Sequence, residues 1–69
     1  MKLQEYLDTI ETEADKISSK KDVRKYSANI GKINKKALLD SDISKEEYGR
    51  IVDKGYTACA LRLWELGIS

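Results

Sequence analysis

Among the residue types that most often carry catalysis or hold metals, this 69-residue chain offers one cysteine, Cys59, and no histidine. An active site needs a polarised pocket with a base, a nucleophile or a metal. Cys59 falls on an apolar stripe beside Val52, Tyr56 and Leu63, where a thiol keeps its proton and packs as a small hydrophobe. Structural zinc takes four Cys or His ligands, which one cysteine cannot supply. Asp40-Ser41-Asp42-Ile43-Ser44 opens like a calcium loop, but that loop requires glycine sixth and glutamate twelfth. Lys45 and Ile51 stand there instead. Ser18-Ser19-Lys20-Lys21 matches Ser-x-x-Lys in form, on a linker that encloses no pocket. Gly31, Gly49, Gly55 and Gly67 are scattered, so there is no phosphate-cradling loop. The expectation is a non-enzymatic protein with no cofactor and no metal.

What remains is charge and apolar surface. Net charge is +1, but residues 1–19 hold two lysines against five acids. Residues 20–36 hold six lysines and Arg24 against Asp22 alone, and residues 37–69 return to a small acidic excess. The middle third is a basic band between two acidic segments. The N-terminus has no apolar run of signal-peptide length. Nothing approaches the ~18 apolar residues of a membrane span. A lone cysteine fits a reducing compartment. These features lead to the expectation of a soluble, cytoplasmic protein.

Apolar spacing assigns the elements that position these residues. Leu3, Tyr6, Leu7, Ile10, Ala14 and Ile17 step by three and four, the mark of one helical face. Val23, Tyr26, Ile30, Ile33 and Ala37 do the same, opposite the basic residues. Ser19 with Asp22 resembles a capping box between these segments. Gly31 weakens its helix by about 1 kcal/mol relative to alanine and marks a bend or a close approach. The third segment carries the clearest limits and is expected to hold the largest share of the apolar surface. Ser44 and Glu47 form a capping box, and Ile43 with Tyr48 occupies the positions of a hydrophobic staple. At the other end, Gly67 and Ile68 suit a Schellman motif. Tyr48, Val52, Gly55, Tyr56, Cys59, Leu63 and Leu66 make its expected core face. Gly55 and Ala58 would permit close backbone approach or mark a kink. The tyrosines, which stand where phenylalanine is absent, are expected at the wet edge of a small core.

Helices are therefore expected at about 2–18, 20–39 and 44–66 in one helical domain spanning 1–69. Short linkers make consecutive helices antiparallel neighbours, giving an all-α three-helix bundle that dimerisation could complete. The rival is a helical hairpin with one long helix across the first break, completed only by dimerisation. A chain this short buries only about 60% of its unfolded surface, so a partner or a second copy would add stability.

Two surfaces are candidates for function. On the third helix, Leu61 and Trp64, with Thr57, Ala60 and Arg62, lie away from the expected core face. A helix apolar on two sides is either surrounded by protein or awaiting a partner. These residues are the expected protein interface, including homodimerisation through the same patch. Lys21, Arg24, Lys25, Lys32, Lys35 and Lys36 form a basic face suited to nucleic-acid phosphates, the alternative reading. A solvated helix face explains the same charges. Short, lysine-rich, proline-free and without an active-site inventory, the chain resembles the small accessory proteins of phages and mobile elements. That resemblance implies a regulator or inhibitor that docks on a larger protein.

Overall fold

A computed structural model of the chain describes residues 2–68. It contains three helices, α1 (Leu3–Asp15), α2 (Asp22–Leu38) and α3 (Lys45–Glu65), and all three touch one another. Among the described residues there is no strand, and no helix is long and apolar enough to cross a membrane. The body measures 37 × 17 × 15 Å. The chain leaves helical conformation between α1 and α2, so α1 folds back on α2 within one molecule and the long-helix hairpin is excluded.

Each break has a local cause. After α1, the Asp22 carboxylate accepts from the Ser18 backbone N–H (2.8 Å), the Ser18 hydroxyl (2.9 Å) and the Ser19 N–H (3.2 Å). This is the acid's half of the expected capping box, extended to Ser18. The helix begins at Asp22 rather than two residues earlier, with Lys21 at the N-cap. Three donors directed at one carboxylate hold its pKa below the usual value. Before α3, the box forms in full. Ser44 Oγ accepts from Glu47 N–H at 3.1 Å, and Glu47 Oε1 accepts from Ser44 N–H at 2.9 Å. At the far end Gly67 adopts φ +73°, and Ile68 N–H donates to the Leu63 carbonyl (2.9 Å) while Gly67 N–H donates to Trp64 (3.0 Å). That is the Schellman pattern, with Gly67 in the left-handed conformation only glycine takes freely.

The core is built from Tyr6, Ile10, Ala14, Ile17, Tyr26, Ile30, Ala37, Ile51 and Ala58. The α1 and α2 faces agree with the spacing, and the α3 face agrees in part, with Gly55 buried and Tyr48, Cys59 and Leu63 packed half-buried against the core. Its buried residues are Ile51, Gly55 and Ala58, while Tyr56 and Leu66 are exposed. Measured at 3.6 residues per turn, the centre of the three buried positions lies roughly 75° from the centre of the expected face. The reason is steric. A Cβ built at Gly55 would stand 2.9 Å from Ile30 Cγ2, so α3 presents a glycine to α2 where the two helices meet. Gly55 is thus a close approach, whereas Gly31 is exposed with open space around it and takes no part in close packing.

Two tyrosines also depart from expectation, because they are buried in the core rather than wet at its edge. Tyr6 is 1% exposed, and its hydroxyl donates to Asp40 Oδ2 at 2.7 Å. Tyr26 is 6% exposed and donates to the Gly55 carbonyl at 2.6 Å. A buried hydroxyl is tolerated when it is satisfied, and each of these bonds fastens one helix to another part of the chain. Burial first, then the Asp40 carboxylate, pushes the Tyr6 phenol up to about 12. Burial does the same to Tyr26, also to about 12.

Candidate interaction surfaces

The C-terminal half of α3 exposes the uncharged residues Tyr56, Thr57, Ala60, Leu61 and Trp64, with Glu65 exposed at their edge. Trp64 and Tyr56 are each 77% exposed and Leu61 is 55% exposed. The bundle therefore leaves the second apolar side of α3 uncovered. Beside it, an open hollow of about 470 Å³ is lined by Ala60, Leu63, Trp64, Gly67 and Ile68. Thr57, Ala60, Leu61 and Trp64 stand at i, i+3, i+4 and i+7, within an arc of about 100°.

Arg62, expected among these contacts, faces the bundle instead. Its Nε–H donates to the Ile17 carbonyl at 2.9 Å, which ties the end of α3 to the end of α1. The position is partly buried and lies on the same side of α3 as Ile51, Gly55 and Ala58. Its cation serves an orphan carbonyl past the α1 C-terminus, where positive charge is favoured. Lys54, one of its neighbours along α3, pairs with Glu11 of α1 at 3.7 Å.

The six basic residues of α2 are all exposed. None of them forms an ion pair among the described residues; the pairs there are Lys16–Glu13 and Lys54–Glu11. They occupy one arc of about 120° opposite Tyr26, Ile30 and Ala37. The structure brings all six together on one face.

Cys59 borders a groove of about 260 Å³ between α2 and α3, with Ser27, Gly31, Asn34, Val52 and Tyr56. Burial pushes its thiol up, away from the thiolate a nucleophile requires. Asn34 Oδ1 is buried there without a hydrogen-bond partner. The loop that opens like a calcium site does structural work: Asp40 Oδ1 accepts from Asp42 N–H at 2.9 Å while Oδ2 holds Tyr6. These bonds pull the Asp40 carboxyl down to about 2, the Tyr6 hydroxyl contributing most.

Some exposed apolar residues were not singled out by spacing. Leu38 (62% exposed) and Leu39 (76%) project at the end of α2. Their only signal is position, one and two residues past the last core step at Ala37. Tyr56 was assigned to the core because it follows Val52 by four, and it joins the exposed α3 face instead. No protein-family model, no curated protein and no solved structure matches this chain.

Proposed function

We propose that the chain is a small non-enzymatic protein-binding module, a regulator or inhibitor that docks on a larger protein through the outward face of α3. The observation that carries this reading is the exposure of Trp64 and Leu61 on a helix whose opposite side already fills the core. Thr57, Ala60, Leu61 and Trp64 have the spacing of a helix laid into an apolar groove of a partner. Tryptophan is among the residues most enriched in binding hot spots, and here Trp64 is 77% exposed. The accessible surface is 5050 Å² for a mass of 7.9 kDa. Monomers of this mass expose about 4,400 Å², so the excess of roughly 600 Å² approaches one side of a standard interface.

The test is capture from native lysate by wild-type protein beside Trp64→Ala and Leu61→Asp, with helical circular dichroism as the fold control. One retained protein should be lost with both variants while helicity is unchanged. Retention that survives both changes places the interface elsewhere. Molar mass in solution separates a foreign partner from a second copy: self-association lost with the same two variants would assign the face to homodimerisation.

A further inference from the structure

The basic residues of α2 form a repeat. Lys21-Asp22-Val23-Arg24-Lys25 is followed eleven residues later by Lys32-Ile33-Asn34-Lys35-Lys36. Each basic position recurs at the same offset. Eleven residues are just over three helical turns, so the second triad lies over the first with a rotation of about 20° and a rise of about 16 Å. Between them on the same face stands Ala28, with Gly31 at its margin, and a Cβ added at Gly31 would meet nothing within 4 Å. The surface is thus a shallow saddle with three cations at each end.

From this geometry we infer a second binding surface, independent of α3, in which the two triads clamp the phosphate backbone of duplex nucleic acid without reading its sequence. Each strand of a duplex carries one charge per about 3.4 Å of axis, so about five phosphates of one backbone fall within the span of the two triads. Short residues at the saddle let the rounded backbone ridge approach while longer lysines close on it from both ends. None of the six is held in an ion pair among the described residues, so they can displace counterions, Lys25 less so because it faces the Asp22 carboxylate. Base reading is not part of the site, since five of the six are lysines, which act as point charges rather than bidentate forks. A membrane surface fits less well. A helix that lies in a bilayer buries its apolar face there, and the apolar face of α2 is committed to the core.

The experiment is fluorescence anisotropy of a labelled 20-base-pair duplex between 25 and 200 mM salt. Six contacts give a slope of about −5 in log K against log salt, an approximately thousandfold loss between 50 and 200 mM. Lys32→Gln, Lys35→Gln and Lys36→Gln together should roughly halve that slope, and the three arginine replacements should preserve it. Glutamine and arginine are both good helix formers, so circular dichroism should show folded protein in each case. Trp64→Ala should leave duplex binding unchanged, which separates this surface from the docking face. Absence of binding at 25 mM salt would overturn the inference, as would a slope indifferent to either triad. So would binding to phosphatidylserine vesicles that an excess of duplex does not compete away.

Discussion

Replacing Gly55 by alanine tests the contact that orients α3, and with it the faces left to solvent. In an exposed helix interior the change stabilises by about 1 kcal/mol, because alanine loses less conformational freedom. At Gly55 the new methyl would lie 2.9 Å from Ile30 Cγ2, closer than real Cβ atoms come. Ile30 is 8% exposed and β-branched on a helix, so it cannot swing aside cheaply. Overpacking of this kind costs about 1–3 kcal/mol, which outweighs the propensity gain and leaves a net loss of about 1 kcal/mol. Gly31 supplies the internal control, since open space surrounds it and Gly31→Ala should show the gain alone. In a domain of this size 1 kcal/mol moves Tm by about 4–8 °C, so the two alanine variants should separate by roughly 10 °C in opposite directions. Thermal unfolding followed by circular dichroism reads both. In an Ile30→Ala background the methyl meets no clash, and the Gly55→Ala penalty should disappear, a non-additivity measurable by a double-mutant cycle. If Gly55→Ala raises Tm as Gly31→Ala does, α2 and α3 are not in close approach there and the assignment of the exposed α3 face fails with it.

Other changes probe other parts of the same frame. Trp64→Ala should shift stability by less than about 0.5 kcal/mol, since its side chain is 77% exposed; a larger loss in urea unfolding would mean it is covered. Arg62→Ala should cost about 1–2 kcal/mol by freeing the Ile17 carbonyl, with no comparable loss for Arg50→Ala on the exposed side of the same helix. The pH dependence has two limbs. The Asp40 carboxyl is lowered in the fold from 3.8 to about 2, so its stabilisation is present above pH 4 and lost as pH falls between those values. The Tyr6 and Tyr26 phenols are raised from 10.0 to about 12, so theirs is present below pH 10 and lost as pH rises toward 12. Tyr6→Phe should flatten the acid limb in a Tm-against-pH series. Alkylation of Cys59 by iodoacetamide at pH 8 should run slower in folded protein than in the urea-unfolded chain, because burial keeps the thiol protonated.

The sequence carries the architecture well where caps and large side chains agree. Ser44, Glu47 and Gly67 mark α3 to within a residue because each satisfies specific orphan backbone groups, and such chemistry is local. The α1 and α2 stripes read correctly because their buried positions hold Tyr and Ile, whose bulk dominates any periodicity. The rotation of α3 was hidden for the converse reason. Its buried side is made of Gly55, Ala58 and Arg62 beside a single isoleucine, while Val52, Tyr56 and Leu63 draw the apparent stripe toward α2. Small residues contribute little to a hydrophobic pattern, and they are what close approach selects. The tyrosines misled similarly: their hydroxyls find partners at Asp40 and Gly55, 34 and 29 residues away, and no local pattern announces a partner so distant.

That rotation bears on function. With α3 turned by roughly 75°, Arg62 swings from the outward set into the bundle and Tyr56 swings out to join Thr57, Ala60, Leu61 and Trp64. The outward face thereby loses its one cation and gains a second aromatic ring. Exposed charge on α3 lies mainly in its first half, at Lys45, Glu46, Arg50 and Asp53, with Glu65 at the edge of the apolar face in the last turn. A face without charge is the one a partner's apolar groove can desolvate at little cost, whereas an arginine there would require an anionic partner or an uncompensated burial. The charge that could recognise a polyanion is concentrated instead on α2, a separate helix. The fold therefore keeps the two chemistries apart, and each can be removed by substitution without touching the other.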